Sequence, residues 1–386
     1  MKYLGLSILE LTEKGAIHTA REISQQPQVW QKIGKQIEEE RAAISSLLKS
    51  AHYQRIILTG AGTSAFIGLS LRGAFQRATG IVTEAISTTD LVSHPKDYLH
   101  QDIPTLLISF ARSGNSPESV AAAVMADEIC KTVHHLIITC NAEGKLANHT
   151  TKNKKYVFSL PSEANDQSLA MTSSYSGMLL AGKLIAQIDT PGDAERSVAV
   201  ITKYAEKAIS FYAEEICEIS KLGFKRAVFL GSGPFFGTAT EAHLKLQELS
   251  DGKVICKNDS FLGFRHGPKA VIDETTLVIY FFSNNKYSIQ YEKDLVESMK
   301  KGRRPLAEIG ISESTVDGVS LDHTFVFSEN GFTVDEEFMA ICSIVPAQLL
   351  GFFTSLQLGL KPDAPSVTGA ITRVVEGVQI YSNRTA

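Results

Sequence analysis

Cysteine is sparse and unpaired in this chain: five residues in 386, at Cys130, Cys140, Cys217, Cys256 and Cys342. None falls in a C-x-x-C pair, so neither a disulfide framework nor a zinc ribbon is available, and the thiols read as reduced and mostly buried. An H-E-x-x-H helix is missing too, and we expect neither a metal nor a cofactor. Basic excess is absent: 38 Lys and Arg against 42 Asp and Glu give a net charge of −4, which argues against the basic face of a nucleic-acid binder. The longest apolar run, near 344–360, is broken by Pro346, Gln348 and Gln357 and is too interrupted for a bilayer span. The opening stretch meets an acid at Glu10, too early for a signal peptide. These absences lead us to expect a soluble, cytoplasmic protein, long enough for two domains of ordinary size.

What is present is a rhythm of strands and helices. Trp30, Ile33, Ile37, Ile44, Leu47 and Leu48 recur at helical spacing, so residues 1–50 read as a helical segment. Buried-strand runs follow at Arg55 to Thr59, Ile81 to Ile86, Leu106 to Ser109, Leu136 to Cys140 and Tyr156 to Leu160, several separated by helical stretches. That alternation predicts an α/β fold with a parallel sheet covered on both faces. Thr190-Pro-Gly-Asp-Ala194 reads as a linker. Beyond it a long helix, about 194–222, precedes strands at Arg226 to Leu230, Val254 to Lys257, Leu277 to Phe282 and Thr324 to Phe327. Arg55-Ile-Ile-Leu-Thr-Gly-Ala-Gly-Thr63 and Arg226-Ala-Val-Phe-Leu-Gly-Ser-Gly-Pro234 match in pattern, which suggests two copies of one domain. We therefore expect a helical segment at 1–50, a first domain at 51–192, a second at 193–365 and a tail at 366–386.

The copies differ at one turn. After its third strand the first carries Ser113-Gly-Asn-Ser116 and then Pro117, with Ser116 in the place of a helix N-cap. Free N–H groups, a positive dipole end and short hydroxyls suit a phosphate, although a capped helix start has the same composition. The second copy has Phe281-Phe-Ser-Asn-Asn-Lys286 there. Ligands of doubly wound sheets collect outside the carboxyl ends of the strands, where Gly62-Thr63-Ser64 would join this turn. Gly60-Ala-Gly62 does not complete a dinucleotide fingerprint, since position 65 is alanine.

These pieces, with Glu241-Ala-His-Leu-Lys-Leu-Gln-Glu248 and Phe264-Arg-His-Gly-Pro268, resemble the sugar isomerase (SIS) domain family across both halves. Length, duplication and the segment Glu163-Ala-Asn-Asp-Gln-Ser168 look most like its galactosamine-6-phosphate deaminase/isomerase subgroup, also labelled tagatose-6-phosphate ketose/aldose isomerase. The resemblance implies two tandem SIS domains and a metal-free reaction on a hexosamine 6-phosphate. By it, Gly62, Thr63, Ser64, Ser113 and Ser116 bind the phosphate, and Ser168 lies near the sugar. Ala111 replaces a serine usual in the family, so Arg112 would supply charge instead, with Asn115 as a further donor. Glu248 matches the general base that moves a proton between C2 and C1, with Glu241 on the same helix face and Lys245 between them to stabilise developing oxyanions. His266 matches the ring-opening acid/base, which in relatives serves a neighbouring subunit, so a homodimer or higher homo-oligomer is implied. Arg373 stands where the family's synthase branch has an imine-forming lysine; an arginine cannot form an imine at neutral pH and would act as an electrostatic clamp. Read without the resemblance, Glu241 and Lys245 belong to a solvated E-x-x-x-K helix face, with Leu244, Leu246 and Leu249 toward the core, and His266 is a loop histidine satisfied by backbone. An isomerase without deamination and a non-catalytic sugar-phosphate sensor are the alternative functions.

Overall fold

The computed structural model describes residues 2–331, 333–375 and 377–381. The first sheet contains β1 (Arg55–Thr59), β2 (Val82–Ala85), β3 (Thr105–Ala111), β4 (Val133–Thr139) and β5 (Lys155–Ser159), all parallel, in the order β2-β1-β3-β4-β5. The second contains β6 (Arg226–Gly231), β7 (Ile255–Asp259), β8 (Thr276–Phe281), β9 (Ala307–Ser312) and β10 (His323–Val326), in the order β7-β6-β8-β9-β10. The second order is the first repeated. Strands β1, β3 and β8 are buried at every residue, as their unbroken apolar runs require when helices cover both faces.

The repeat extends to backbone angles. Gly62 (φ 55°, ψ −130°) opens α2 (Thr63–Thr79), and Gly233 (φ 57°, ψ −128°) opens the corresponding helix of the second half, Pro234–Leu249. Side chains rarely adopt this positive φ, so glycine occupies both positions.

Four sequence expectations change. The first fifty residues begin with a short antiparallel pair, Lys2–Tyr3 and Leu6–Ser7, and a brief helix, Ile8–Glu13, closed by a Ser7–Glu10 capping box. Only then does α1 run, from Ile17 to Leu48, with Pro27 inside it. The long helix expected at 194–222 is divided: a π-helical segment, Ala208–Tyr212, separates Ala194–Lys207 from Ala213–Ser220. That segment turns Tyr212 onto Phe325, with ring centroids 4.9 Å apart. Strand β9 was not anticipated, because Ala-Glu-Ile-Gly-Ile-Ser is only weakly apolar; a Cβ on its Gly310 would lie 2.8 Å from Leu321 Cδ1. Finally, the interrupted apolar stretch belongs to a continuous helix, Glu336–Gln357, long and apolar enough to cross a membrane by length and composition. It lies buried inside the protein as a core helix packed against 234–249.

The remaining helices that position the site are α3 (Pro117–Ile129), α4 (Ser173–Ala186), α5 (Ala194–Lys207), α6 (Pro234–Leu249) and α7 (Glu336–Gln357). Helices α2 and α6, one from each half, touch closely. A Cβ on Gly237 of α6 would stand 2.2 Å from Ser70 Oγ and 2.5 Å from the Phe66 carbonyl, and the Ser70 hydroxyl donates to the Pro234 carbonyl at 2.7 Å. This contact brings α6 to the first sheet's glycine turn.

Candidate functional site

The first sheet reverses strand order between β1 and β3, so a crevice opens at their carboxyl ends. Gly62, Thr63 and Ser64 follow the carboxyl end of β1, with Thr63 and Ser64 buried, and the 113–116 turn follows that of β3. Gly114 holds a φ of 65°, and the Ser113 hydroxyl accepts from the Asn115 N–H at 3.2 Å. Asn115 Oδ1 accepts from the Lys145 N–H at 3.0 Å, so part of its polar capacity is spent on shaping the turn. Ser116 occupies the N-cap position of α3, but its side chain makes no capping hydrogen bond, contrary to the sequence expectation. Its ψ of 127° leaves the hydroxyl outside capping geometry and uncommitted to the helix.

At the equivalent turn of the second sheet the donors are already committed to acids. There the Ser283 N–H donates to Glu292 at 2.8 Å, the Ser283 hydroxyl donates to Glu336, and Asn284 Nδ2 donates to Glu313 at 2.8 Å. Glu292, Glu336 and Glu313 thus take up donors that a phosphate would need.

Helix α6 brings its acids toward the first crevice. Lys245, 1% exposed, places Nζ 2.5 Å from Glu248 Oε2 and 3.4 Å from Glu241 Oε1. Spacings of three and four residues put all three on one helix face. The Glu248 side chain retains 22% exposure. Glu241 is wholly buried, so it stands behind Glu248 in the wall instead of beside it at the surface. Burial pushes the Glu241 carboxyl up to about 8. Lys245 and Thr63 oppose that shift, Glu248 reinforces it, and neither Glu241 oxygen completes a close hydrogen bond. Burial alone would lower the Lys245 ammonium, but Glu241 and Glu248 outweigh it and hold it above its ordinary value. At neutral pH Glu241 thus holds its proton and Lys245 its charge.

A third wall is the segment 163–169. Arg112, expected to face a phosphate, is buried and donates from Nη1 to the carbonyls of Ser168 at 3.1 Å and Leu169 at 3.0 Å, and from Nη2 to the Arg373 carbonyl. Arg373 in turn spends its guanidinium on the Asp166 carbonyl, at 2.8 Å from Nε, and on Asn165 Oδ1, also at 2.8 Å. Both arginines therefore brace this segment. Burial lowers the Arg112 guanidinium, and Asp166 and Glu248 partly restore it. Ser168 is 1% exposed, and its hydroxyl donates to Glu22 of α1. Asp166 accepts from the N–H groups of Thr172, Ser173 and Ser174 at 2.8–3.1 Å and so caps α4. Sequence reasoning passed over Glu22 and Asp166. The available signal was Thr19, Glu22 and Gln26, polar residues spaced three and four apart beside the apolar stripe of α1.

His266 follows a short helix, Phe261–Phe264, and Gly267 at φ 122° turns the chain into Pro268. Its ring is exposed and makes no hydrogen bond or ion pair with the described residues, so the fold does not bring it to Glu248 by any such contact within one chain.

One cluster has metal-ligating residue types: Asp127, His135 and His149, whose ligand atoms lie within 4.8 Å of one another. Here Asp127 receives His135 Nε2 at 3.0 Å, His149 Nε2 at 2.6 Å, Thr151 Oγ1 at 2.8 Å and Asn153 Nδ2 at 2.5 Å. Burial favours the protonated acid, yet these donors together hold it well below the usual carboxylate range. The arrangement is a hydrogen-bonded clasp between α3, β4 and the loop before β5.

Comparison with known proteins agrees with this architecture. The SIS domain model matches residues 47–188. The D-galactosamine-6-phosphate deaminase AgaS of Shewanella sp. (strain ANA-3) is 42% identical over 385 residues, 97% of this chain and 95% of that protein. The Escherichia coli protein of the same name is 37% identical, covering 94% of this chain and 95% of its own. The crystal structure of tagatose-6-phosphate ketose/aldose isomerase from Escherichia coli superposes with a TM-score of 0.86 at 34% identity, covering 95% of this chain and 97% of that one. With its duplicated parallel sheets, its paired glycine turns and these full-length matches, the chain belongs to the SIS domain family, in the group of the AgaS proteins.

Proposed function

We propose that this chain is an amino-sugar phosphate deaminase/isomerase that converts galactosamine 6-phosphate to tagatose 6-phosphate and ammonia. The observation that carries the reading is the meeting of two halves: Thr63, at the first sheet's phosphate-type turn, faces Glu241 of α6, beside Lys245 and Glu248. The names of the full-length relatives support the substrate.

In this reading residues 51–192 form the phosphate-binding domain and 193–365 the domain bearing the base. Ser64, Ser113 and Ser116 hold the phosphate with the N–H groups of Gly62 and Thr63, while Asn115 shapes the turn. His266 of a neighbouring subunit moves the O1 proton to the ring oxygen and opens the sugar. Glu248 takes the proton from C2 and returns it to C1, O1 gains a proton as the amino nitrogen loses one, and a ketimine is left at C2. Water adds to that carbon, and ammonia leaves as the ketone forms. Lys245 orients Glu248, with Glu241 behind it. Arg112 and Arg373 act on the sugar through the segment bearing Ser168. A homodimer or higher homo-oligomer in the cytoplasm completes the proposal.

Ammonia release from galactosamine 6-phosphate, followed through glutamate dehydrogenase, tests it. Absence of ammonia from both galactosamine and glucosamine 6-phosphate would defeat the reading. The name of the Escherichia coli structure favours a second reading, ketose–aldose exchange without deamination. That reading predicts interconversion of tagatose and galactose 6-phosphates and no ammonia.

A further inference from the structure

We propose that Glu22, on a helix outside both sheets, is a positioning residue that sets the Ser168 segment against the sugar. The inference rests on the reading of Ser168 as a substrate contact. Glu22 lies near the start of α1 and is 2% exposed. Its Oε1 accepts the Gln167 N–H at 2.5 Å and the Ser168 N–H at 3.3 Å, and its Oε2 accepts the Ser168 hydroxyl. One carboxylate thus gathers three donors from two consecutive residues.

A serine hydroxyl has a single proton. The neighbours of Ser168 Oγ are Glu22 and the Ala170 carbonyl at 3.0 Å. Burial and Asp166 push the Glu22 acid up to about 7, while the Ser168 and Gln167 donors oppose the shift, and in its ionised form Glu22 is the stronger acceptor. With Glu22 ionised the proton is committed to it, and only lone pairs of Ser168 Oγ remain. A sugar hydroxyl or amino group that donates suits this oxygen; a group that only accepts does not.

The helix bearing Glu22 is itself tied to the segment. Asp363 accepts from the N–H groups of His18 at 3.1 Å and Thr19 at 2.7 Å, and its own carbonyl accepts the Leu169 N–H at 3.0 Å. Further along α1, Gln25 donates to the Glu163 carbonyl at 2.7 Å. The N-terminal helix thus forms a rear wall of the site, with Glu22 as its contact to Ser168.

The test uses the full-length chain and galactosamine 6-phosphate, with kcat and KM measured separately and thermal unfolding followed in parallel. Glu22→Gln keeps the shape but places an amide donor opposite two donors of Ser168. It is expected to raise KM about tenfold, the scale of one lost hydrogen bond, with kcat changed less than about threefold. Ser168→Ala should act similarly. The double variant should lie within about threefold of the worse single, because Glu22 acts through Ser168. A KM for Glu22→Gln at the wild-type value, or a double variant showing the product of the two single effects, overturns the proposal while leaving Ser168 as a substrate contact. Unchanged kinetics in Ser168→Ala overturn that contact and this proposal together. Should Glu22→Gln fail to fold, Glu22→Asp, which keeps the charge and withdraws it by one methylene, must raise KM in the same way or the proposal falls.

Discussion

Glu241, Lys245 and Glu248 should show a non-additive response to neutralisation. Lys245 is 1% exposed and has two carboxylates within 3.4 Å. Below about pH 8 Glu241 holds its proton, so Glu248 is the working counterion. Glu241→Gln replaces one neutral group by another, and about 1 kcal/mol or less should be lost at pH 7. In Glu248→Gln the repulsion that helps keep Glu241 protonated disappears, and Glu241 ionises against Lys245 in its place. Stability again falls by only about 1 kcal/mol. The double variant leaves a buried ammonium without an acid, and about 3–5 kcal/mol is expected to be lost. Activity follows a different order: Glu248→Gln should lower kcat by about 10²- to 10⁴-fold, the range of a general base, and leave sugar-phosphate binding within about tenfold. Urea unfolding at pH 7 measures the first quantity, and coupled ammonia release the second. A double variant whose loss equals the sum of the singles would refute the shared-counterion reasoning, and full activity in Glu248→Gln would refute the base assignment.

Three further outcomes are expected. Gly237→Ala forces a Cβ to within 2.5 Å of the Phe66 carbonyl and should cost about 1–3 kcal/mol in urea unfolding while lowering kcat, because it parts α2 from α6. Glu292 is pushed up to about 8 by burial, with Glu336 adding to the shift and the Ser283 N–H opposing it. The folded chain therefore keeps this proton between about pH 4.5 and 8 while the unfolded chain has lost it, so stability falls as pH rises through that window and levels off above it. The stability difference between Glu292→Gln and wild type should shift toward the variant by up to about 4 kcal/mol from pH 5 to 8; a difference independent of pH would contradict the buried acid. Mixing inactive His266→Ala and Glu248→Gln chains by co-refolding should restore about a quarter of wild-type activity if two-fold related subunits share sites, and no recovery would place His266 outside the neighbour's site.

Much of the architecture could be read along the chain because its signals are short-range. The apolar runs of β1 and β3, the glycine pairs at 60–62 and 231–233, and the hydroxyl turn at 113–116 each declare themselves within about ten residues. Strand β9 escaped because its pairing with β8 and β10 supplies what its composition lacks. The π segment at 208–212 escaped because the aromatic contact that accompanies it comes from Phe325, far along the chain.

At the site the division is sharper. Spacing alone put Glu241, Lys245 and Glu248 on one face of a helix, and composition alone made a phosphate-type turn of Ser113 to Ser116. Only the packed molecule decided that Glu241 is buried and protonated, that Arg112 and Arg373 grip backbone carbonyls, and that Glu22 holds Ser168 across 146 residues of chain. The reason is physical: periodicity and turn chemistry are properties of neighbouring residues, whereas desolvation and the choice of hydrogen-bond partner depend on which distant segments close over a group.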